Sequence, residues 1–118
     1  MKRLIAVLVV VAGGAATIAV PALSATTRSV EVGPNTRFTR HDRTLRTLSI
    51  HRGDKIKFEY SGSLRHNVRI SKGPRTGTIA GSTHHSGYEK TKTFTRAGTY
   101  TIVCDIHAPN MKFTLHVS

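Results

Sequence analysis

The chain has 118 residues, with 18 Lys and Arg against 6 Asp and Glu, a formal net charge of +12 and a single cysteine. One cysteine excludes an internal disulfide framework, and the length excludes a multidomain assembly. A charge of this sign would suit nucleic acid, but the first segment of the chain directs it to a compartment where little is met.

That segment opens with Met1-Lys2-Arg3, continues as an apolar run from Leu4 to Val20, and ends in small residues at Ala22 and Ser24-Ala25. This is a signal peptide pattern, and Gly13-Gly14 within the run favours cleavage after Ser24 or Ala25 over an uncleaved anchor. No cysteine lies near its end, so a lipoprotein anchor is excluded, and Lys2-Arg3 is not a twin-arginine pair. The expected organisation is a leader over residues 1–25 and one domain over residues 26–118. The mature protein is expected in the periplasm or outside the cell, monomeric, without a transmembrane anchor and without a nucleic-acid partner. Its cationic surface suits an acidic protein partner or anionic envelope polymers.

The domain reads as strands. Ser29-Val30-Glu31-Val32, Leu48-Ser49-Ile50, Lys55-Ile56-Lys57-Phe58-Glu59-Tyr60, Asn67-Val68-Arg69-Ile70, Thr99-Tyr100-Thr101-Ile102 and Lys112-Phe113-Thr114-Leu115-His116-Val117 all alternate with period two. Turn signals separate them at Gly33-Pro34-Asn35, Arg52-Gly53-Asp54, Ser61-Gly62-Ser63 and Ala97-Gly98. No segment of the domain carries a helical stripe, so the class is all-β, two antiparallel sheets packed face to face. Residues 71–90, rich in Gly, Ser, Thr and His, read as a long surface loop with room for a short strand around Gly77-Thr78-Ile79-Ala80 or a turn of helix.

Strand parity then selects the residues that share the interior. His66 has the parity of Val68 and Ile70, and Cys104 that of Tyr100 and Ile102, so both face inward on strands that must be neighbours. Cys104-Asp-Ile-His107 turns the backbone back toward the same point, and Ala108-Pro109-Asn110 lets Met111 close the loop before the next strand. A Cys-x-x-His pair alone is a weak signal. His66 and Met111 at the proper parity add a second imidazole and a thioether. A thiolate, two imidazoles and a thioether make the donor set of a copper ion that cycles between two oxidation states. A site without carboxylate or carbonyl donors serves Mg2+ or Ca2+ poorly. Copper bound only in the folded state would also stabilise so small a domain.

With these residues the chain resembles the cupredoxins, small blue copper proteins of the plastocyanin and amicyanin group. Gly53-Asp54-Lys55-Ile56-Lys57-Phe58 is similar to the family's Gly-Asp-x-Val-x-Phe strand, His66-Asn67-Val68 to its His-Asn-Val, and Gly98-x-Tyr100-x-x-x-Cys104 to its Gly-x-Tyr-x-x-x-Cys. The resemblance implies a Greek-key β-sandwich holding one type 1 copper, with His66, Cys104 and His107 as equatorial ligands and Met111 as the long axial one. It implies that Asn67 ties the two ligand loops together and donates its backbone N–H to the Cys104 sulfur. Val103 stands where plastocyanins carry an aromatic residue on a proposed side-face electron path. The three-residue spacer between His107 and Met111 is one shorter than plastocyanin's and one longer than amicyanin's.

The function implied is one-electron transfer between redox proteins. Copper storage or delivery without electron transfer uses the same donors and is the alternative. An enzyme is not expected, because every equatorial position is filled and no second cluster provides an open one. His84-His85 could load a second metal but reads as a solvated pair. His41, His51 and His116 read as surface residues.

Overall fold

The computed structural model describes residues 24–118, apart from the side chains of Thr83 and His84. The expected leader lies outside the described residues except for Ser24 and Ala25. The strands are β1 (Thr27–Val32), β2 (Phe38–Arg40), β3 (Arg43–Thr44), β4 (Thr47–Ile50), β5 (Lys55–Tyr60), β6 (His66–Lys72), β7 (Gly77–His84), β8 (Glu89–Thr93), β9 (Gly98–Val103) and β10 (Lys112–Val117). A single 3-10 turn over Asp105–His107 is the helical element among the described residues.

Two five-stranded sheets form, ordered β3-β2-β1-β5-β8 and β4-β10-β9-β6-β7. The period-two segments all become strands. In β5 and β10 every second side chain is buried, which is what one sheet face against a core and one against water requires. Each sheet is antiparallel apart from one parallel pair, β1 with β5 and β4 with β10. Parallel neighbours need a crossover. Between β1 and β5 the chain visits the second sheet at β4, and between β4 and β10 it returns to the first at β5 and β8. Local alternation reveals a strand but not the direction of its distant neighbour, so these pairs were not legible in the sequence.

Aromatic rings bind the two sheets. Phe38 of β2 meets Phe113 of β10 edge-on at 5.2 Å between centroids, and Phe94, just after β8, meets Tyr100 of β9 at 5.3 Å. Ile56, Phe58, Ile102 and Leu115 fill the space between with no exposed surface. Tyr100 and Phe58 are core residues, as their parity predicts.

Within residues 71–90, read as a loop with room for a short strand around residues 77–80, that strand is present and runs further than expected. The stretch contains β7 and the start of β8. These are the edge strands on the same side of the two sheets, where half-burial is weak. The five residues of β8 are exposed but for half-buried Lys92, and the apolar pair Ile79-Ala80 is the only buried contribution of β7 among its described side chains. Without alternating burial there is no alternating sequence to read.

Candidate metal centre

The end of the sandwich where β6 begins and β9 ends gathers three of the four expected donors. β9 points Tyr100 and Ile102 inward, and the next residue of that parity is Cys104, whose thiol has no exposed surface. β6 enters the second sheet beside β9, so His66 arrives buried on its first residue. The 3-10 turn then folds the chain back, placing His107 Nδ1 at 3.6 Å from Cys104 Sγ, while His66 Nδ1 lies at 3.9 Å. The two imidazole rings are 4.9 Å apart and inclined at 56°. One ligand atom from each of these three residues falls within 4.8 Å of the others.

These separations fit a metal ion. With metal–sulfur and metal–nitrogen bonds of about 2.3 and 2.0 Å, as for zinc, donors set 120° apart lie about 3.7 Å from each other. The observed 3.6 and 3.9 Å bracket that value. Burial, and secondarily the nearby His107 ring, lower the pKa of His66, which favours the neutral imidazole that a metal requires.

Met111 is fully buried and is placed by the backbone. Cys104 N–H donates to Met111 C=O at 3.0 Å and Met111 N–H to His107 C=O at 3.3 Å, closing the loop from residue 104 to 111 on itself. The structure thus brings Met111 beside Cys104 in the chain's interior.

A network outside the donors holds the two ligand segments together. Asn67 Oδ1 accepts from the Asp105 N–H at 2.7 Å, and Asn67 Nδ2 donates to Asp105 Oδ2 at 2.8 Å. Arg69 adds a two-pronged contact to the same carboxylate, with Nε and Nη2 each at 2.8 Å. Arg69, with Asn67 assisting, holds the Asp105 carboxyl well down, at about 2, so the contact persists across physiological pH. The expected tie between the loops is therefore made by the Asn67 side chain. A bond from its backbone N–H to the Cys104 sulfur is not among the hydrogen bonds of the described residues.

Behind His66 the fold uses residues that composition did not single out. The Tyr60 ring stands edge-on to His66 at 6.3 Å and to Tyr88 at 5.2 Å. Gly33, at φ +113°, lies where an added Cβ would come within 2.5 Å of Ser61 C=O and 3.2 Å of His66 Nε2. A side chain there would separate the two loops that enclose the imidazole. Gly33-Pro34-Asn35 had signalled a turn; the close approach to His66 is visible only in three dimensions.

His41, His51, His85 and His116 are not part of this cluster, and His84 lies opposite His66 in the pairing of β6 with β7. His41, His51 and His116 are exposed, His51 lying beside Asp54 and His116 against Thr99 at 3.2 Å. His85 is exposed, and the side chain of its neighbour His84 lies outside the described residues. Leu64 and Ile106, the two exposed large hydrophobics among the described residues, flank His66 and His107 in sequence, and Ala108 and Pro109 are exposed beside them.

Comparison with known proteins agrees with this geometry. A family model described as copper binding proteins, plastocyanin/azurin family, matches residues 42–118. Among solved structures, the reduced Cu(I) form at pH 4 of an amicyanin variant aligns with a TM-score of 0.63 at 22% identity, covering 78% of this chain and 82% of that one. The Cu(I) form of another amicyanin variant gives 0.63 at 22% identity over 81% and 86% of the two chains. The oxidised state of a third gives 0.62 at 22% over 78% and 82%. No curated protein sequence matches.

Proposed function

The chain belongs to the plastocyanin/azurin family of copper binding proteins, and from that premise we propose that it carries single electrons between redox proteins through one type 1 copper ion held by His66, Cys104, His107 and Met111. Copper at such a donor set supplies a reversible Cu(II)/Cu(I) couple. The protein's contribution is to present a cysteine sulfur, two imidazoles and a buried thioether in a fixed arrangement. The observation that carries the reading is the convergence of two Nδ1 atoms on one buried thiol at 3.6 and 3.9 Å.

Each residue has a task in this reading. Cys104 is the anionic equatorial donor. His66 is locked in the interior by burial and by the Tyr60 ring. His107 is half-exposed, so its ring edge is the point at which an electron leaves or enters. Ile106, Ala108 and Pro109, exposed and next to it in the chain, let a partner approach without stripping water from charges. The Asn67–Asp105–Arg69 network and the backbone bonds of the 104–111 loop keep the donors still as the charge on the centre changes. Full burial of Cys104, His66 and Met111 favours retention of the ion over its delivery to another protein.

Absorption spectroscopy of the protein loaded with Cu(II) tests the assignment. An intense visible charge-transfer band from the Cys104 thiolate is expected, and Cys104→Ser abolishes it because a hydroxyl cannot replace the covalent thiolate. A colourless complex in which Cys104 still reacts with a thiol reagent would defeat the reading.

A further inference from the structure

Acids and bases are interspersed on the first sheet, whereas the charged residues lining one groove of this chain are all cations. On the outer face of the first sheet Glu31, Glu59 and Glu89 stand side by side across β1, β5 and β8. They alternate with buried Val30, Val32 and Phe58, so they point away from the core. The second sheet differs. A groove of about 270 Å³ there is lined by Arg37, Arg46, Lys72 and Lys112, with Asn110 and Thr114, and no acidic residue borders it. The ion pairs among the described residues, His51–Asp54, Lys57–Glu59 and Arg69–Asp105, use none of these four cations. Lys112 and Thr114 face outward opposite buried Phe113 and Leu115, so the groove lies on the sheet's exterior. Asn110 belongs to the loop between His107 and Met111, so the groove abuts the candidate metal centre.

We propose that this cationic groove is the docking surface for an acidic patch on a redox protein, which it holds against the 108–110 end of the metal loop. The inference rests on the electron-carrier reading above and names the partner's chemistry. Four uncompensated cations raise the local potential and draw an acidic surface toward them. Because Asn110 of the metal loop lines the groove, its occupant sits beside the candidate copper site, which favours an acidic redox protein over an envelope polymer that has no electron to exchange.

Two matched charge reversals and two readouts test it. Arg46→Glu with Lys72→Glu alters the groove; Lys55→Glu with Lys90→Glu makes the same change in net charge on the first sheet. Oxidation of the reduced, copper-loaded protein by hexacyanoferrate(III), an anionic one-electron acceptor, is followed at about 10 mM ionic strength, where screening acts only beyond about 30 Å. The groove pair is expected to slow the reaction on the order of tenfold and the control pair less than about threefold. NMR titration of the reduced wild type with poly-L-glutamate should shift amides around residues 37, 46, 72 and 112.

Equal slowing by both pairs, or shifts spread over both sheets, overturns the proposal. So does a response to polyphosphate with none to poly-L-glutamate, which would assign the groove to phosphate polymers rather than to a carboxylate-bearing protein surface. Failure of the wild type to exchange electrons at all would sink the carrier reading, and the NMR map would still decide whether an acidic chain docks at the groove.

Discussion

Cys104 without its neighbours would be an inert buried thiol, and two imidazole nitrogens within 3.9 Å change its chemistry. Two other residues support that site from outside the donor set. Asp54 lies buried and accepts from the Thr26 N–H and the His51 N–H, each at 2.9 Å. It thereby fastens the start of β1 to the turn that launches β5, which explains structurally why the Gly53-Asp54 pair precedes that strand. Those two backbone donors hold its carboxyl below the ordinary carboxylate range. A depressed folded pKa stabilises the native state above the unfolded value of about 3.9, and that contribution is lost as pH falls through the folded value. Asp54→Asn turns one acceptor into a donor facing an N–H. It should cost about 1–3 kcal/mol at pH 7 in urea unfolding, and the difference from wild type should shrink in acid. A constant difference down to pH 2 would show that the carboxylate charge is not what matters. Gly33→Ala is expected to cost a similar amount, about 1–3 kcal/mol, and also to alter the visible spectrum, because its Cβ would press on Ser61 and His66. An unchanged spectrum would mean that the loops give way without moving the imidazole.

At the scale of elements, alternation identified six of the ten strands and parity placed His66 and Cys104 inside. Both inferences follow from the period of a strand, which sequence displays directly. What alternation could not display was anything without half-burial. The pieces β2 and β3 are three and two residues long, too short for a pattern. The strands β7 and β8 are edges whose described side chains are mostly exposed. Nor did it show that the 3-10 turn carrying His107 packs against β6, since that contact joins segments distant in sequence. The 104–111 loop fared better, since its donors are close in sequence and the backbone bonds between Cys104, His107 and Met111 are local. Gly73 shows the limit of reading glycine as a turn alone. At φ +140° it lies against the Tyr100 ring, which an added Cβ would meet at 2.8 Å. Gly73→Ala should destabilise by about 1–3 kcal/mol in thermal unfolding of the apo protein. An unaltered melting temperature would mean that the ring moves aside freely.

At the scale of the whole molecule, donors from β6 and from the loop after β9 meet at one point only when both are in the second sheet. Copper bound there favours the folded state by mass action, by about 4 kcal/mol at a thousandfold excess over Kd. For a domain of this size that corresponds to a rise in Tm on the order of 15 °C or more, measured by calorimetry of apo and loaded protein. Equal melting temperatures would contradict a site built from distant strands. The central claim is that electrons pass through the His107 edge. Its most direct test is the self-exchange rate between Cu(I) and Cu(II) forms, read from NMR line broadening at about 1 M salt, where screening within about 3 Å removes the repulsion between two cationic copies. Rapid exchange is predicted for the wild type. Ala108→Glu should slow it on the order of tenfold, about 1.4 kcal/mol for a charge desolvated at the contact, with the blue band unchanged. Slow exchange in a blue wild type, or exchange indifferent to a charge at residue 108, would contradict it.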